Sequence, residues 1–307
     1  RAQGVTITVN GSGGSLAQIL TRIYELPFTQ ATGIRVRPTA PVSLARLRAM
    51  VETGNMEWDL TEMGAHDLIE AEQNGWVQAV DWDVVDPERK LPELARHRYG
   101  MVTSTFSTVL AFRTDKFGGR KPNGWADFWD VRGFPGPRAL QDSPVQNLEF
   151  ALLADGVAPD KLYPLDVDRA FRKLDQIKPH VATWWRTGAQ HVQLLLDGEA
   201  VMTSVWNGRI TPLRNEGRPV DITWKGGALQ LSYWSIPKGA RYPKEAMQYM
   251  RWRLDPVRGA EFVKEIPYPG FIPGLMEKLD ERTARDLPTY PENVAAQYTF
   301  DPAWWAA

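Results

Sequence analysis

The chain carries Val-Met-Thr-Ser-Val-Trp-Asn-Gly-Arg at residues 201–209 and Ser-Tyr-Trp-Ser-Ile-Pro-Lys-Gly at residues 232–239. The β-branched and apolar residues of both stretches predict strands, and the Asn-Gly pair and the proline predict where these strands end. The first strand therefore ends in a turn that exposes the indole of Trp206 and the guanidinium of Arg209. A large aromatic ring and a fixed charge at the end of a buried strand are typical of a ligand site.

Strand and helix signals fall into two groups around these stretches. Residues 5–9 alternate β-branched side chains and lead through a glycine-rich turn and a helix to a strand at 34–36, an order that predicts a parallel sheet covered by helices. The β-prone runs at 102–112 and 229–236 are long enough to pass from one lobe to another. We predict an α/β protein whose lobe 1 comprises residues 1–106 and 231–276 and whose lobe 2 comprises 107–230 and 277–307.

Length and composition exclude several classes of protein. A chain of 307 residues has ample length for two cored lobes, and a net charge of -1 gives no general attraction for nucleic acid. No apolar run is long enough to span a membrane, and we interpret the start at Arg1 as the end left by removal of a signal peptide. With no cysteine, disulfides and thiolate metal sites are excluded.

The motifs of catalysis and of cofactor binding are not found. The turn at 11–15 fails both nucleotide-binding patterns, because no Gly-Lys-Ser/Thr ends it and Leu16 stands where the dinucleotide pattern needs glycine. No two histidines have the spacing that places metal ligands on one helix face. There is also no nucleophile elbow of the Gly-x-Ser-x-Gly type. We therefore predict a protein that is not an enzyme and that needs neither a cofactor nor a metal.

A glycine-rich turn and several tryptophans are candidates for ligand contact. Ser12 and Gly13 offer a hydroxyl and a backbone amide at a tight turn, although a turn without any ligand is the simpler alternative. Trp184 and Trp185 are adjacent on a predicted strand and so point to opposite faces, which directs one of them, here assigned as Trp185, out of its local core. For Trp206, a position in the core remains the alternative.

Arg209 supports the sharpest inference about the ligand. Its neighbours are apolar or turn residues, so the guanidinium has no acidic partner nearby in the sequence. Because this planar cation matches a carboxylate in bidentate geometry, an Arg209 that faces a binding cleft indicates an anionic ligand group. The alternative is an ion pair with a distant acid of its own lobe.

Together with Thr32-Gly33-Ile34-Arg35-Val36 and Trp58-Asp59-Leu60, the two opening stretches resemble the spermidine/putrescine-binding family of extracellular solute-binding proteins of bacterial ABC transporters. The resemblance extends from about Val5 to Pro273. It implies a type II periplasmic-binding-protein fold with two crossover strands and a small-molecule ligand in the interlobe cleft. It also implies a periplasmic location and an inner-membrane ABC permease as partner, and we expect a monomer.

The resemblance also assigns ligand contacts. Trp206 matches a tryptophan that stacks on the ligand, Tyr268 matches a tyrosine of the cleft, and Gly64 and His66 match a turn that contacts the ligand. The acids that hold ammonium groups in polyamine binders are replaced by Ser232 and by the region that begins at Ser143. Without these carboxylates, the ammonium groups of a polyamine would be buried unpaired, at a cost of several kcal/mol per ion.

The sequence therefore predicts a small carboxylate, either a hydroxy acid or a dicarboxylate, as the ligand. Its oxygens would find hydroxyl groups on Ser12, Ser143, Ser232 and Tyr233. An ω-amino acid is the second candidate, and it needs an acid for its amine, for which Glu62 is available. A polyamine such as putrescine or spermidine is the third.

Overall fold

A computed structural model describes residues 4–307 of the protein. The strands are β1 (Thr6–Asn10), β2 (Arg35–Thr39), β3 (Leu60–Gly64), β4 (Val77–Gln78), β5 (Arg96–His97), β6 (Gly100–Arg113), β7 (Arg138–Gln141), β8 (Val181–Trp185), β9 (Met202–Trp206), β10 (Val220–Pro237) and β11 (Tyr298–Thr299). Strand and helix alternate through much of the chain, as the sequence predicts for an α/β protein.

The α-helices are α1 (Gly14–Leu20), α2 (Leu26–Thr32), α3 (Leu44–Thr53), α4 (Ala65–Gln73), α5 (Trp82–Val85), α6 (Trp125–Trp129), α7 (Asn147–Ala154), α8 (Val167–Ile177), α9 (Gly188–Leu196), α10 (Thr211–Asn215), α11 (Pro243–Trp252), α12 (Pro256–Glu265), α13 (Glu281–Arg285), α14 (Pro291–Ala296) and α15 (Pro302–Ala306). A π-helical turn at Thr21–Glu25 joins α1 to α2, and a 3₁₀ turn at Asn207–Arg209 follows β9. Over residues 4–307, none of the helices combines the length and the apolar character that crossing a membrane requires.

The chain divides into two compact units. Unit 1 comprises the described residues up to Thr105 together with Leu231–Thr289, and unit 2 comprises Phe106–Gln230 together with Tyr290–Ala307. The long strands β6 and β10 each contribute residues to both units. Each of these strands therefore carries one of the two main-chain connections predicted from the β-prone runs.

The sheet of unit 1 has the strand order β2-β1-β3-β10. Strand β1 lies parallel to both β2 and β3, whereas β3 pairs antiparallel with β10, so that Gly64 lies opposite Ser232. Because parallel strands end at the same edge, the turns that follow β1 and β3 lie at one edge of this sheet. Fully buried Ile7 and Leu60 fix the register of the two strands against the core.

The sheet of unit 2 has the strand order β6-β9-β7-β8. Strands β7, β8 and β9 are mutually parallel in the pairs β7–β8 and β7–β9, and β9 pairs antiparallel with β6. Helix α7 lies within an apolar core that includes Phe150 and Trp125, whose rings stack at a centroid distance of 3.9 Å. The carboxyl ends of the three parallel strands again meet at one edge.

The C-terminal segment is divided between the two units, which differs from the prediction that residues 277–307 belong to lobe 2. Residues up to Thr289 belong to unit 1, because Leu287 is buried with Ala260, Val263 and Leu275. From Tyr290 onward the chain belongs to unit 2, where the Trp305 indole donates to Glu149 Oε1 at 2.7 Å. The polar sequence of this segment does not indicate the apolar contacts by which its two parts join different units.

Candidate functional site

The predicted ligand contacts of unit 2 lie at the edge where its parallel strands end. Ser143 follows β7, Trp185 is the last residue of β8, and Trp206 is the last residue of β9. Gln141 at the end of β7 lies beside Trp185 in the register of the sheet. Ligands of α/β proteins bind outside the carboxyl ends of the strands, which makes this edge the candidate binding surface of unit 2.

The turn that follows β9 is held in place by a buried hydrogen bond. Asn207 is fully buried, and its Oδ1 accepts from the backbone N–H of Ser107 on β6 at 2.9 Å. This bond anchors the 3₁₀ turn at Asn207–Arg209 to the neighbouring strand. Arg209 is thereby held at the end of this turn, three residues after Trp206, with its side chain exposed to solvent.

The Arg209 guanidinium has no acidic partner among residues 4–307. Asp142, an acid of the loop after β7, is already paired with Arg186 at 2.7 Å. The alternative considered above, an ion pair with a distant acid of the same unit, is therefore absent from the described part of the chain. A cation without a counterion at this edge is free to bind an anionic group.

Trp206 is half-buried and rests on an aromatic base. The ring of Trp185 meets it edge-on at a centroid distance of 5.9 Å, and the imidazole of His191 meets it edge-on at 5.6 Å. The backbone N–H of Trp206 also makes a long hydrogen bond to His191 Nε2 at 3.5 Å. The indole thus keeps one part on the surface while the rest is held by two buried rings.

Trp185 itself does not lie on the surface. It is fully buried with Ala139, Leu194 and Ala200, and its indole N–H donates to Ser204 Oγ at 3.3 Å. Trp185 supports the ring of Trp206 from behind. The burial of Trp185 does not agree with its predicted place in the cleft. Of the two adjacent tryptophans, Trp184 is the one that stays partly exposed, on the opposite face of the strand.

Ser143 lies in the loop after β7, where its hydroxyl is already engaged. Its Oγ accepts from the backbone N–H of Val145 at 3.1 Å, and its carbonyl accepts from the Asn147 amide at 2.8 Å. The hydroxyl hydrogen remains available as a donor. Ser143 therefore stays a predicted contact at the edge of unit 2.

His191 is a residue of this site that the sequence analysis did not select. It is fully buried, and burial together with the Arg209 charge lowers the pKa of its imidazole to about 4. The ring is therefore neutral at neutral pH, which leaves the Nε2 lone pair free to accept from Trp206. His191 comes three residues after Gly188, so both residues lie on the same face of α9. This helical spacing is the sequence signal that could have identified His191 as part of the site.

The buried neutral His191 is expected to make the fold sensitive to acid. Its pKa in the folded state lies below the ordinary value of 6.5, so its stabilising effect is present above pH 6.5 and is lost as the pH falls toward 4. By pH 5 this loss reaches about 2 kcal/mol of the free energy of unfolding. Urea unfolding at pH 7 and pH 5 should show a smaller decrease for His191→Phe than for the native protein; equal decreases would contradict the expectation.

In unit 1, the turn after β1 lies next to an acidic side chain of β3. The hydroxyl of Ser12 donates to Glu62 Oε1 at 3.0 Å, and Gly13 adopts a left-handed φ of 76° that leaves no room for a side chain near Ala40. Glu62 makes no ion pair among the residues that the structure describes. Its carboxylate is therefore a negative group without a cation at the edge of unit 1.

Strand β10 adds a hydroxyl to the same face of the sheet. Glu62 lies opposite Trp234, and Gly64 lies opposite Ser232. Directly opposed residues of an antiparallel pair share one face, so the side chains of Glu62 and Ser232 project to the same side. Ser12 and Gly13 thus lie beside this carboxylate, and Gly64 and Ser232 lie two positions further along the same face of the sheet.

The other predicted contacts of unit 1 lie outside this group. Tyr233 projects to the opposite face, where its ring meets His97 at 5.8 Å and burial raises the pKa of its hydroxyl to about 12. His66 is exposed in the first turn of α4, with Nδ1 3.8 Å from Asp67. The carbonyl of Tyr268 accepts from Ser104 Oγ at 3.2 Å, which holds its loop to β6. His66 and Tyr268 stay predictions based on resemblance, and Tyr233 stays a predicted hydroxyl donor to the ligand.

A metal centre is not formed by the described residues. Between residues 4 and 307, no three histidine or acidic side chains are grouped closely enough to hold an ion. Arg209 and Glu62, one at each edge and each without an ion pair among the described residues, are of opposite sign. Their chemistry is that of reversible recognition by ion pairs and hydrogen bonds.

Comparison with known proteins places this architecture in a family. A family model described as bacterial extracellular solute-binding protein matches residues 26–291. The γ-aminobutyric acid-binding protein of Pseudomonas aeruginosa is 34% identical over 312 residues, which cover 99% of this chain and 88% of the relative. The spermidine/putrescine-binding periplasmic protein of Escherichia coli is 22% identical over 86% of this chain and 78% of its own length.

A solved structure agrees with this assignment. The crystal structure of an ABC transporter substrate-binding protein from Bradyrhizobium japonicum superposes with a TM-score of 0.84 at 37% identity, over 99% of this chain and 95% of that one. The predicted α/β binding-protein fold is thus confirmed, and so is the prediction that the chain is not an enzyme. The chain belongs to the family of bacterial extracellular solute-binding proteins.

Proposed function

We propose that this protein is the substrate-binding component of a bacterial ABC importer and that it binds an ω-amino acid. The observation that carries the proposal is the exposed Arg209 guanidinium, which has no acidic partner in the described part of the chain and lies beside the half-buried indole of Trp206. Arg209 binds the carboxylate of the ligand, and Trp206 packs against its carbon chain. The periplasmic location, the permease and the monomeric state belong to the same proposal.

The spacing of these two side chains suits a carboxylate that is attached to methylene groups. Trp206 Cζ3 and Arg209 Nε lie 2.6 and 3.4 Å from one point, the position that a Cβ on Gly188 would occupy, so these atoms are at most about 6 Å apart. A carboxylate that forms a bidentate pair with the guanidinium therefore brings its first methylene groups to the indole. Apolar contact with the ring and charge pairing are then made by neighbouring parts of one small molecule.

An ω-amino acid also needs a negative group for its ammonium, and Glu62 is the side chain we assign to it. Its Oε1 accepts from Ser12, its Oε2 has no cation, and Ser232 shares its face of the sheet. The similarity to a γ-aminobutyric acid-binding protein supports this ligand class over the hydroxy acid or dicarboxylate that the sequence alone placed first. The contact of both groups with one ligand in the interlobe cleft stays a prediction.

The other ligand classes fit the two charges less well. A dicarboxylate brings a second anion to Glu62, where like charges repel. A polyamine places an ammonium group beside the Arg209 cation. It also lacks the counter-charge of the acid that polyamine binders have where this chain has Ser232. Polyamines, which the sequence alone placed third, become the second candidate because the spermidine/putrescine-binding protein is also a relative.

Glu62→Gln is expected to weaken the binding of γ-aminobutyric acid by about 1.5 kcal/mol, roughly ten-fold, because a charge-assisted hydrogen bond becomes a neutral one. Butyrate has the same carbon chain without the amine, so its weak binding should not change. Calorimetry of both ligands checks this, with Glu57→Gln as the control, an exposed acid already paired with Arg46 at 2.7 Å. An equal loss for both ligands would show that Glu62 does not contact the amine.

A thermal-shift series tests the proposed ligand class as a whole. A ligand that binds only the folded protein adds about 2.7 kcal/mol to the free energy of unfolding at one hundred times its dissociation constant. We expect ω-amino acids of three to five carbons between the two charges to raise the midpoint more than glutarate, malate, putrescine or spermidine. A rise with polyamines alone would overturn the proposal in favour of the second candidate.

A further inference from the structure

We infer that Gly188 and His191, on one face of helix α9, are positioning residues that hold the Trp206 indole beside the Arg209 guanidinium and thereby set the affinity of the site. This inference rests on the proposed role of Trp206 and Arg209 in ligand binding. It concerns two residues that make no ligand contact of their own, because both are buried.

Gly188 is the point against which both functional side chains pack. A Cβ at this position would lie 2.6 Å from Trp206 Cζ3 and 2.9 Å from Trp206 Cε3, closer than carbon atoms approach in folded proteins. It would also lie 3.4 Å from Arg209 Nε, in ordinary contact. The absence of a side chain therefore lets the indole lie directly on the first turn of α9, with the guanidinium next to it.

His191 limits the indole from a second direction. Its ring meets the edge of Trp206 at 5.6 Å, at an interplanar angle of 87°, and also meets Trp185 at 4.7 Å. Its Nε2 accepts from the Trp206 backbone N–H, which fixes the point where the side chain leaves the strand. Behind the indole lies Trp185, which is fully buried.

These contacts restrict the position of the indole. Helix α9, His191 and Trp185 all contact its buried part, and close-packed interiors yield little to an added atom. A ring that is fixed before the ligand arrives loses less conformational freedom on binding, which increases affinity. The residue type at position 188 therefore decides whether the aromatic part of the site is formed in advance.

The direct test is Gly188→Ala, with Ala189→Gly as the matched control. Alanine is a better helix former than glycine, so a loss of binding in Gly188→Ala does not arise from a weaker helix propensity of α9, whereas Ala189→Gly lowers that propensity. Ala189 is the exposed neighbour in the same helix turn. We expect Gly188→Ala to weaken the binding of γ-aminobutyric acid about ten-fold, within the range seen for residues in direct contact, and Ala189→Gly to leave it unchanged.

A double-mutant cycle shows whether the loss acts through Trp206. Alanine at position 206 has no ring that the new methyl group could meet, so in a Trp206→Ala background Gly188→Ala should cost less than about two-fold. A ten-fold loss in both backgrounds would overturn the inference, because the methyl group would then act by another route.

A measurement without ligand separates this inference from the proposed function. In protein labelled with 5-fluorotryptophan, the resonance that disappears in Trp206→Phe belongs to Trp206, and Gly188→Ala should shift it whereas Ala189→Gly should not. If Arg209→Ala keeps full affinity, the proposed function fails, and this shift alone still reports the packing. An unshifted resonance, or a shifted one with unchanged affinity, overturns the positioning role.

Discussion

Arg209→Ala is expected to weaken the binding of the ligand by about 2–5 kcal/mol, since it removes one partner of a charge pair and leaves the ligand carboxylate without a counterion. This corresponds to about thirty-fold to several thousand-fold in dissociation constant. The fold should be preserved, because the side chain is exposed and makes no ion pair within residues 4–307. Calorimetry with γ-aminobutyric acid and a urea unfolding curve measure both parts of this expectation.

Arg209→Lys is the informative companion. It keeps the positive charge but replaces the planar fork by a single ammonium group, so much of the affinity should still be lost. Arg186→Ala is a matched control, because this arginine lies at the same strand-end edge but is already paired with Asp142. Normal binding by Arg209→Ala, or unfolding of that variant, would remove Arg209 from the ligand site.

Trp206→Ala is expected to weaken binding by about 2–4 kcal/mol, the range of the strong aromatic contacts in binding sites. The change removes the surface on which the carbon chain packs and also leaves a space beside Trp185 and His191. The preference for ligands with a carboxylate should persist, because Arg209 remains. Competition calorimetry with γ-aminobutyric acid and putrescine measures affinity and preference in the same variant.

The control for Trp206 is Trp184→Ala. Trp184 packs against the large apolar core of unit 2, so its removal should lower the free energy of unfolding while affinity is retained. Equal losses of affinity in the two variants would indicate general destabilisation. A change of preference toward putrescine in Trp206→Ala would contradict the division of roles between the indole and the guanidinium.

Much of the fold could be predicted because its elements have strong local signals. The β-branched run at 102–112 corresponds to β6, and the alternating β-branched residues at 5–9 correspond to β1. The return strand is longer than predicted: β10 starts at Val220, because Gly226 and Gly227 pack closely against Trp125 and Val109 and do not interrupt it. That tolerance is a property of tertiary packing, which local sequence does not contain.

The site could be predicted only where a residue's neighbours in sequence determine its environment. Arg209 follows an Asn-Gly turn with no acid nearby, and its exposure agrees with that pattern. The alternation of side chains along β8 predicts that Trp185 leaves its local core, yet the ring is buried under helix α9. His191 was missed for the same reason, since only the packing of α9 on β9 brings it to Trp206.

Calorimetry with four ligands of similar length tests the zwitterion assignment most directly. γ-Aminobutyric acid, butyrate, glutarate and putrescine differ in the charges at the two ends of a short methylene chain. The pairing of Arg209 with a carboxylate and of Glu62 with an ammonium predicts the tightest binding for γ-aminobutyric acid, weaker binding for butyrate and glutarate, and none for putrescine. Tight binding of putrescine, with no heat from the three acids, would contradict it.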